Sequence, residues 1–301
     1  MPVFIVGFAR SGTTLCQRLV SEHLGLPTLP ETHFFERLDK YKPRDRFISP
    51  QGARGLLKEL AELLPVDLAN YRDLLAMDPV RVRDLFLRLV AEQLGSRTLA
   101  TRGRWLEKTP LHALYAPRIG RMFSRAQFIC MVRNPELAFA SRRELNEPGK
   151  GWGEAWRPIE SLCVEWRGLM AKMQEFEAQQ PGRVLYVRLE DLSARPRREL
   201  NRIARFLDLP VDDAQGEVEE EVLLQPFETW KANALKPADK DIANRAGRSQ
   251  LDDYDRWRVQ TLLAPEMKTF KYADPGVQPP AMDPLHRKLV ESLDWYMNPR
   301  W

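Results

Sequence analysis

Apolar residues in this chain alternate between short unbroken runs and stripes at helical spacing. Val3 to Phe8 is such a run, rich in Val, Ile and Phe and bounded by Gly7 and a polar turn, which predicts a strand buried on both faces. Leu15, Leu19 and Leu24 then recur at helical spacing, and Gly25 with Pro27 supplies a stop. Further strands are predicted at Arg104–Glu107, Gln127–Val132 and Arg183–Leu189. The stripe Ile159, Leu162, Cys163, Trp166, Leu169, Met170, Met173 and Phe176 predicts a long helix packed on the core, and Leu200, Ile203, Phe206 and Leu207 mark another. A last helix is expected near Pro284–Met297.

Strands alternating with helices predict an α/β fold with a parallel sheet flanked by helices on both faces. Two helices, around Ala53–Leu64 and Val80–Leu94, break that alternation and read as a helical insertion or cap over about residues 50–95, near the site. From about residue 225 to 250 the periodicity fades while Lys231, Lys236, Lys240, Arg245 and Arg248 accumulate, which suits either a solvated segment or a lid over an anion. No internal repeat divides the 301 residues, so a single domain is expected.

Composition narrows this picture only slightly. The chain is 44% hydrophobic and 29% charged, globular in character, and no apolar stretch is long enough to span a bilayer. A net charge of +4 is too mild to imply nucleic acid, while a pI near 9.0 suits a small anionic ligand. The first strand starts at Val3 with no basic segment ahead of it, which points away from a cleaved leader and to the cytoplasm. Cys16, Cys130 and Cys163 lie in apolar patterns without metal-ligand spacing and are expected as reduced core thiols.

The candidate chemistry begins in "GFARSGTT". A strand feeding Gly7, Gly12 and small polar residues into a helix aims backbone N–H groups at one point, and the helix dipole favours an anion there. Ser11, Thr13 and Thr14 add hydroxyl donors and Arg10 a cation, although such turns also serve as plain structural links. Thr13 occupies the position of the Walker A lysine, and the strand "QFICMV" ends in Arg133 instead of a magnesium-binding Asp. Both features count against a nucleotide kinase or phosphotransferase, the first alternative reading; a non-catalytic nucleotide-binding module is the second.

Arg133 leaves its strand at the carboxyl edge, where open α/β sheets bind ligands, and its planar fork can grip a phosphate; the bland alternative is a pair with Glu136. "FARSGTT" together with "CMVRNPELAFAS" resembles the sulfotransferases that use 3′-phosphoadenosine 5′-phosphosulfate (PAPS). The resemblance implies that Arg10, Ser11, Gly12, Thr13 and Thr14 bind the 5′-phosphosulfate and that Arg133 and Ser141 bind the ribose 3′-phosphate, with no metal required. Lys236 and Arg248 are the weaker candidates for a 3′-phosphate lid.

Transfer to a hydroxyl needs a base and cations for the developing charge. "LPETHFF" resembles the segment of tyrosylprotein sulfotransferases that carries a catalytic Glu before a Thr, which implies Glu31, with His33 and His112 in reserve. Cytosolic sulfotransferases place a catalytic His after Lys-Thr, whereas Pro110 follows Lys108-Thr109 here. By the same resemblance Lys108 stabilises the sulfuryl group beside Arg10; the residues alone would equally suit a surface Glu107–Lys108 pair. Leu189 stands where many relatives carry an aromatic, so adenine stacking falls to another residue such as Trp230. Trp105, Trp152, Trp156 and the basic loop Lys40–Arg46 are candidates for a pocket accepting a sugar, phenol or peptide hydroxyl.

Overall fold

A computed structural model describes residues 1–95, 104–145, 158–210, 218, 220–223, 235–236, 251–274, 276–281, 284–285, 288 and 292. Strands β1 (Pro2–Gly7), β4 (Trp105–Lys108), β5 (Gln127–Val132) and β6 (Val184–Arg188) form one parallel sheet in the order β4-β1-β5-β6. The short strands β2 (Phe47–Ile48) and β3 (Val80–Arg81) pair separately and antiparallel. Thr28 bridges Leu106 in parallel, extending the main sheet beyond β4.

Period-two alternation divides the core between the two faces. Phe4 and Val6 point into one apolar cluster, with Phe128, Cys130 and Val132 beside them. Val3 and Ile5 point into the other, against helix α1 (Thr13–Leu24) and the helix Pro196–Leu207. Because both faces are covered, the strands read as continuous apolar runs. Phe4 anchors the first cluster, with ring centroids 5.4 Å from Phe128, 5.7 Å from Trp105 and 6.2 Å from Phe86.

Phe86 lies on the helix Val82–Leu94, so the segment expected as an insertion or cap shares the main core through its apolar stripe. Trp105, a sequence candidate for the acceptor pocket, is buried in the same aromatic cluster, against Phe4 and Phe86. The long helix extends over Ile159–Gln179 with its whole predicted stripe buried. The run Arg183–Leu189 splits: Leu189 begins a helix, Leu189–Ala194, because an apolar residue at a strand's end serves equally well as the first buried residue of the next element. Cys16, Cys130 and Cys163 are buried free thiols, and burial raises each one's pKa. Most of the expected last helix lies outside the described residues, and among these no helix is long and apolar enough to cross a membrane.

Gly12 caps α1 in the left-handed region (φ 82°), and a Cβ there would lie 2.4 Å from Leu189 Cδ1. Leu189 is therefore the floor of the polar turn, which accounts for an aliphatic residue at that position. Gly12→Ala meets both backbone strain and overlap, and is expected to lower stability by about 1–3 kcal/mol, read from urea unfolding.

Candidate active site

Parallel pairing sets Ile5 opposite Lys108 and Gly7 opposite Met131, so β1, β4 and β5 release their chains at one edge of the sheet. Gly7 (φ 145°) starts the turn after β1; a Cβ there would strike Met131 O at 2.4 Å. Arg10 takes a left-handed conformation (φ 70°), unusual for a residue with a side chain. The turn is tied by Ser11 N–H donating to Phe8 O (3.2 Å), and α1 then begins without a side-chain cap. Its first residues, Thr13 and Thr14, are buried, and Ser11 Oγ is buried without a hydrogen-bond partner among the described residues.

The second cradle stands beside the first. Arg10 Nε donates to Ser141 Oγ (3.1 Å), and Arg133 Nη1 donates to Arg10 O (2.8 Å). Arg133 is 4% exposed; burial lowers its pKa to about 10, with Glu190 opposing and Arg10 adding to the shift, so it remains a cation at neutral pH. It does not pair with Glu136, whose oxygens accept from Arg256 Nε (3.2 Å) and Gln260 Nε2 (2.6 Å). Glu190 Oε1 instead accepts the Asn134 N–H (3.0 Å), and Glu190 Oε2 accepts from Tyr272 Oη (2.6 Å). The Arg188 guanidinium lies 4.4 Å from the Tyr272 ring centroid. Sequence reasoning missed Glu190, Arg188 and Tyr272 as parts of this corner; the nearest signal was Leu189, which lies between the first two.

A third group gathers on the β4 side. Lys108 is buried and its Nζ donates to Glu31 Oε1, while Glu31 Oε2 lies 3.3 Å from His33 Nε2. The other ring nitrogen of His33 lies 3.3 Å from Glu36 Oε1. Glu107, weighed above as half of a surface pair with Lys108, is fully buried and accepts from Thr32 Oγ1 (2.9 Å) and Thr109 Oγ1 (2.5 Å). His112 Nδ1 lies 3.0 Å from Glu107 Oε2, and Phe35 N–H donates to His112 Nε2 (3.4 Å). Both nitrogens of His112 are thus committed inside the core, which removes it as a reserve base.

Lys236 is exposed, and its carbonyl accepts from Arg18 Nη2 (2.9 Å) on α1, one turn beyond Thr14. Apart from Leu235, the rest of the lid segment about 225–250, with Trp230 and Arg248, lies outside the described residues, as do Trp152 and Trp156. The basic loop is described and exposed, with Lys40 Nζ donating to Glu59 Oε2 at 2.8 Å.

A profile described as "Sulfotransferase family" matches residues 2–213, which include all three groups of this edge except Tyr272. The chain belongs to the sulfotransferase family. The sulfotransferase domain of the olefin synthase from Synechococcus PCC 7002 superposes with a TM-score of 0.55 and 22% identity, covering 91% of this chain and 96% of that one, a likeness of fold. A "Putative protein-tyrosine sulfotransferase" of Caenorhabditis elegans is 34% identical over 107 residues, 36% of this chain and 40% of that protein. Its counterpart in Caenorhabditis briggsae is 32% identical over 106 residues, 35% and 37% of the two chains. The matched stretch thus spans about two fifths of these curated relatives.

His33 gives the site a titration signature. Burial alone would lower its pKa, but hydrogen bonds to Glu31 and Glu36 and their charges outweigh that and raise it from 6.5 to about 10. With the folded value above the unfolded one, the stabilisation is fully present below about pH 6.5 and is lost as pH rises through about 10. Ring-proton NMR is expected to find the His33 imidazolium still charged at pH 8, and a midpoint near 6.5 would contradict this arrangement.

Proposed function

We propose that the protein transfers the sulfuryl group of PAPS to a hydroxyl of an acceptor molecule. The observation that carries this reading is the direct contact of the two cradles: Arg10 of the β1 turn donates to Ser141 of the helix after β5, with Arg133 beneath both. A single ligand with an anion at each end suits that corner better than two separate ones. The fit is supported by the Ser11 hydroxyl, buried in the turn without a hydrogen-bond partner among the described residues.

Arg10, Ser11, Gly12, Thr13 and Thr14 would hold the 5′-phosphosulfate through the guanidinium, hydroxyls and helix-end N–H groups. Arg133 and Ser141 would hold the ribose 3′-phosphate, and Lys236 belongs to the segment proposed to cover it. When bound, the nucleotide supplies an activated sulfuryl group with a bisphosphate leaving group. Lys108, already buried beside Glu31, would answer the negative charge that builds as the sulfuryl group departs; one such preorganised donor is worth about 3–4 kcal/mol. No residue in this scheme calls for a metal.

Glu31 is the base in this reading. An imidazolium at His33 has no lone pair with which to take a proton, so the choice between the two falls to the carboxylate. His33 would act instead by holding Glu31 Oε2 while Lys108 holds Oε1. An acceptor hydroxyl must displace one of these contacts to reach the carboxylate. The resemblance to protein-tyrosine sulfotransferases makes a phenol or peptide tyrosine the first acceptor to try, ahead of sugars and other small hydroxyl compounds.

Two measurements test this. Calorimetry should give adenosine 3′,5′-bisphosphate tighter binding than adenosine 5′-phosphate, with Arg133→Ala erasing about 10–100-fold of the preference. Equal affinity for the two nucleotides would end the proposal. In transfer of labelled sulfate from PAPS to a panel of phenols, tyrosine peptides and sugars, Glu31→Gln should lose about 10²–10⁴-fold in turnover with nucleotide affinity unchanged.

A further inference from the structure

Glu107 is a carboxylate with no exposed surface, placed one residue before Lys108 at the end of β4. Burying such a group is costly unless its oxygens are well supplied with donors, and here they are. Oε1 accepts from Thr32 Oγ1 and Thr109 Oγ1, and Oε2 faces His112 Nδ1. Each threonine passes the constraint onward. Thr109 Oγ1, its proton given to Glu107, accepts the backbone N–H of Thr32 (3.1 Å) and of His33 (3.3 Å). Thr32 Oγ1 likewise accepts the Phe34 N–H (3.3 Å).

Three consecutive amides at the entrance of the helix Phe34–Asp39 are therefore satisfied by hydroxyls that both answer to one carboxylate. Among them is His33, whose left-handed backbone (φ 50°) persists only where its surroundings over-determine it. Glu31 precedes these residues and Lys108 adjoins Glu107, so both ends of the Glu31–Lys108 contact are tied to the same buried group.

We propose that Glu107 is a positioning residue, which keeps Glu31 and Lys108 in contact by binding the hydroxyls of Thr32 and Thr109. The inference rests on the reading of Glu31 and Lys108 as the transfer pair. Glu107 itself, sealed in the core, touches no substrate. An apolar side chain of similar shape, such as methionine, would fill the same space without an acceptor oxygen, releasing Thr109 Oγ1 to turn its proton elsewhere and let go of the Thr32 and His33 amides.

The test uses the full chain and needs neither acceptor nor nucleotide. Because Glu31 touches both Lys108 and His33, the titration midpoint of the His33 ring reports where Glu31 stands. The chain has four histidines, and His33→Gln assigns the resonance. In Glu107→Met the midpoint is expected to fall by a full pH unit or more while the cooperative thermal unfolding transition is retained. Thr109→Val should lower it similarly, and Thr109→Ser, which keeps the hydroxyl, should restore it. An unmoved midpoint in folded Glu107→Met overturns the proposal, as does a Thr109→Ser midpoint that falls as far as that of Thr109→Val. Should Glu107→Met fail to fold, the two Thr109 variants decide by the same criterion. Failure of the functional reading would appear separately, as wild-type protein that does not bind adenosine 3′,5′-bisphosphate.

Discussion

The parallel register of β4, β1 and β5 is the constraint from which the site follows. With Ile5 level with Lys108 and Gly7 level with Met131, three chains leave the sheet side by side. Arg10, Lys108 and Arg133 are far apart in sequence, yet each lies at or just beyond the end of one of these strands. A one-residue slip would turn the alternating side chains of a strand to the opposite face, exchanging what Phe4 and Ile5 bury. Aromatic packing around Phe4 and aliphatic packing around Ile5 thus hold the chemistry in register.

Gathering cations at one edge has an electrostatic cost that the fold offsets locally. Arg133 lies against Arg10 but shares the corner with Glu190, and Lys108 is matched by Glu31. Two further carboxylates, Glu36 and Glu107, hold the segment that carries Glu31. Positive and negative groups are interleaved at this edge, Lys108 with Glu31 and Arg133 near Glu190, while Ser11 Oγ in the β1 turn has no hydrogen-bond partner among the described residues. This is an arrangement suited to an anion that comes and goes.

Local patterns were readable in the sequence because they depend on neighbours. The strand Gln127–Val132 is a continuous apolar run, the stripe from Ile159 is a helical signal, and the β1 turn is a spacing of glycines and hydroxyls. Pairing across long separations was not readable. Glu107 looked like one half of a surface pair because nothing in "WLEKTP" reports that Thr32, 75 residues earlier, donates to it. Trp105 carried no sign that Phe4 and Phe86 would enclose it, and Leu189 made sense only once it lay beneath Gly12. His112 resembled a spare catalytic group until both its nitrogens were accounted for.

The helices Asp253–Leu262 and Ala264–Thr269 follow the stretch that the family profile covers, yet they are fastened to it by charge. Asp255 meets Arg143, Arg256 meets Glu136, and Glu266 Oε1 accepts from Arg167 Nε at 2.5 Å. Two of those partners, Glu136 and Arg143, lie on the helix that bears Ser141. The contacts that fasten the helix bearing Ser141 and the Glu190 corner therefore reach some sixty residues past the border of family likeness. A fragment excised at residue 213 would strip Arg143 and Arg167 of these carboxylates and Glu190 of the Tyr272 hydroxyl.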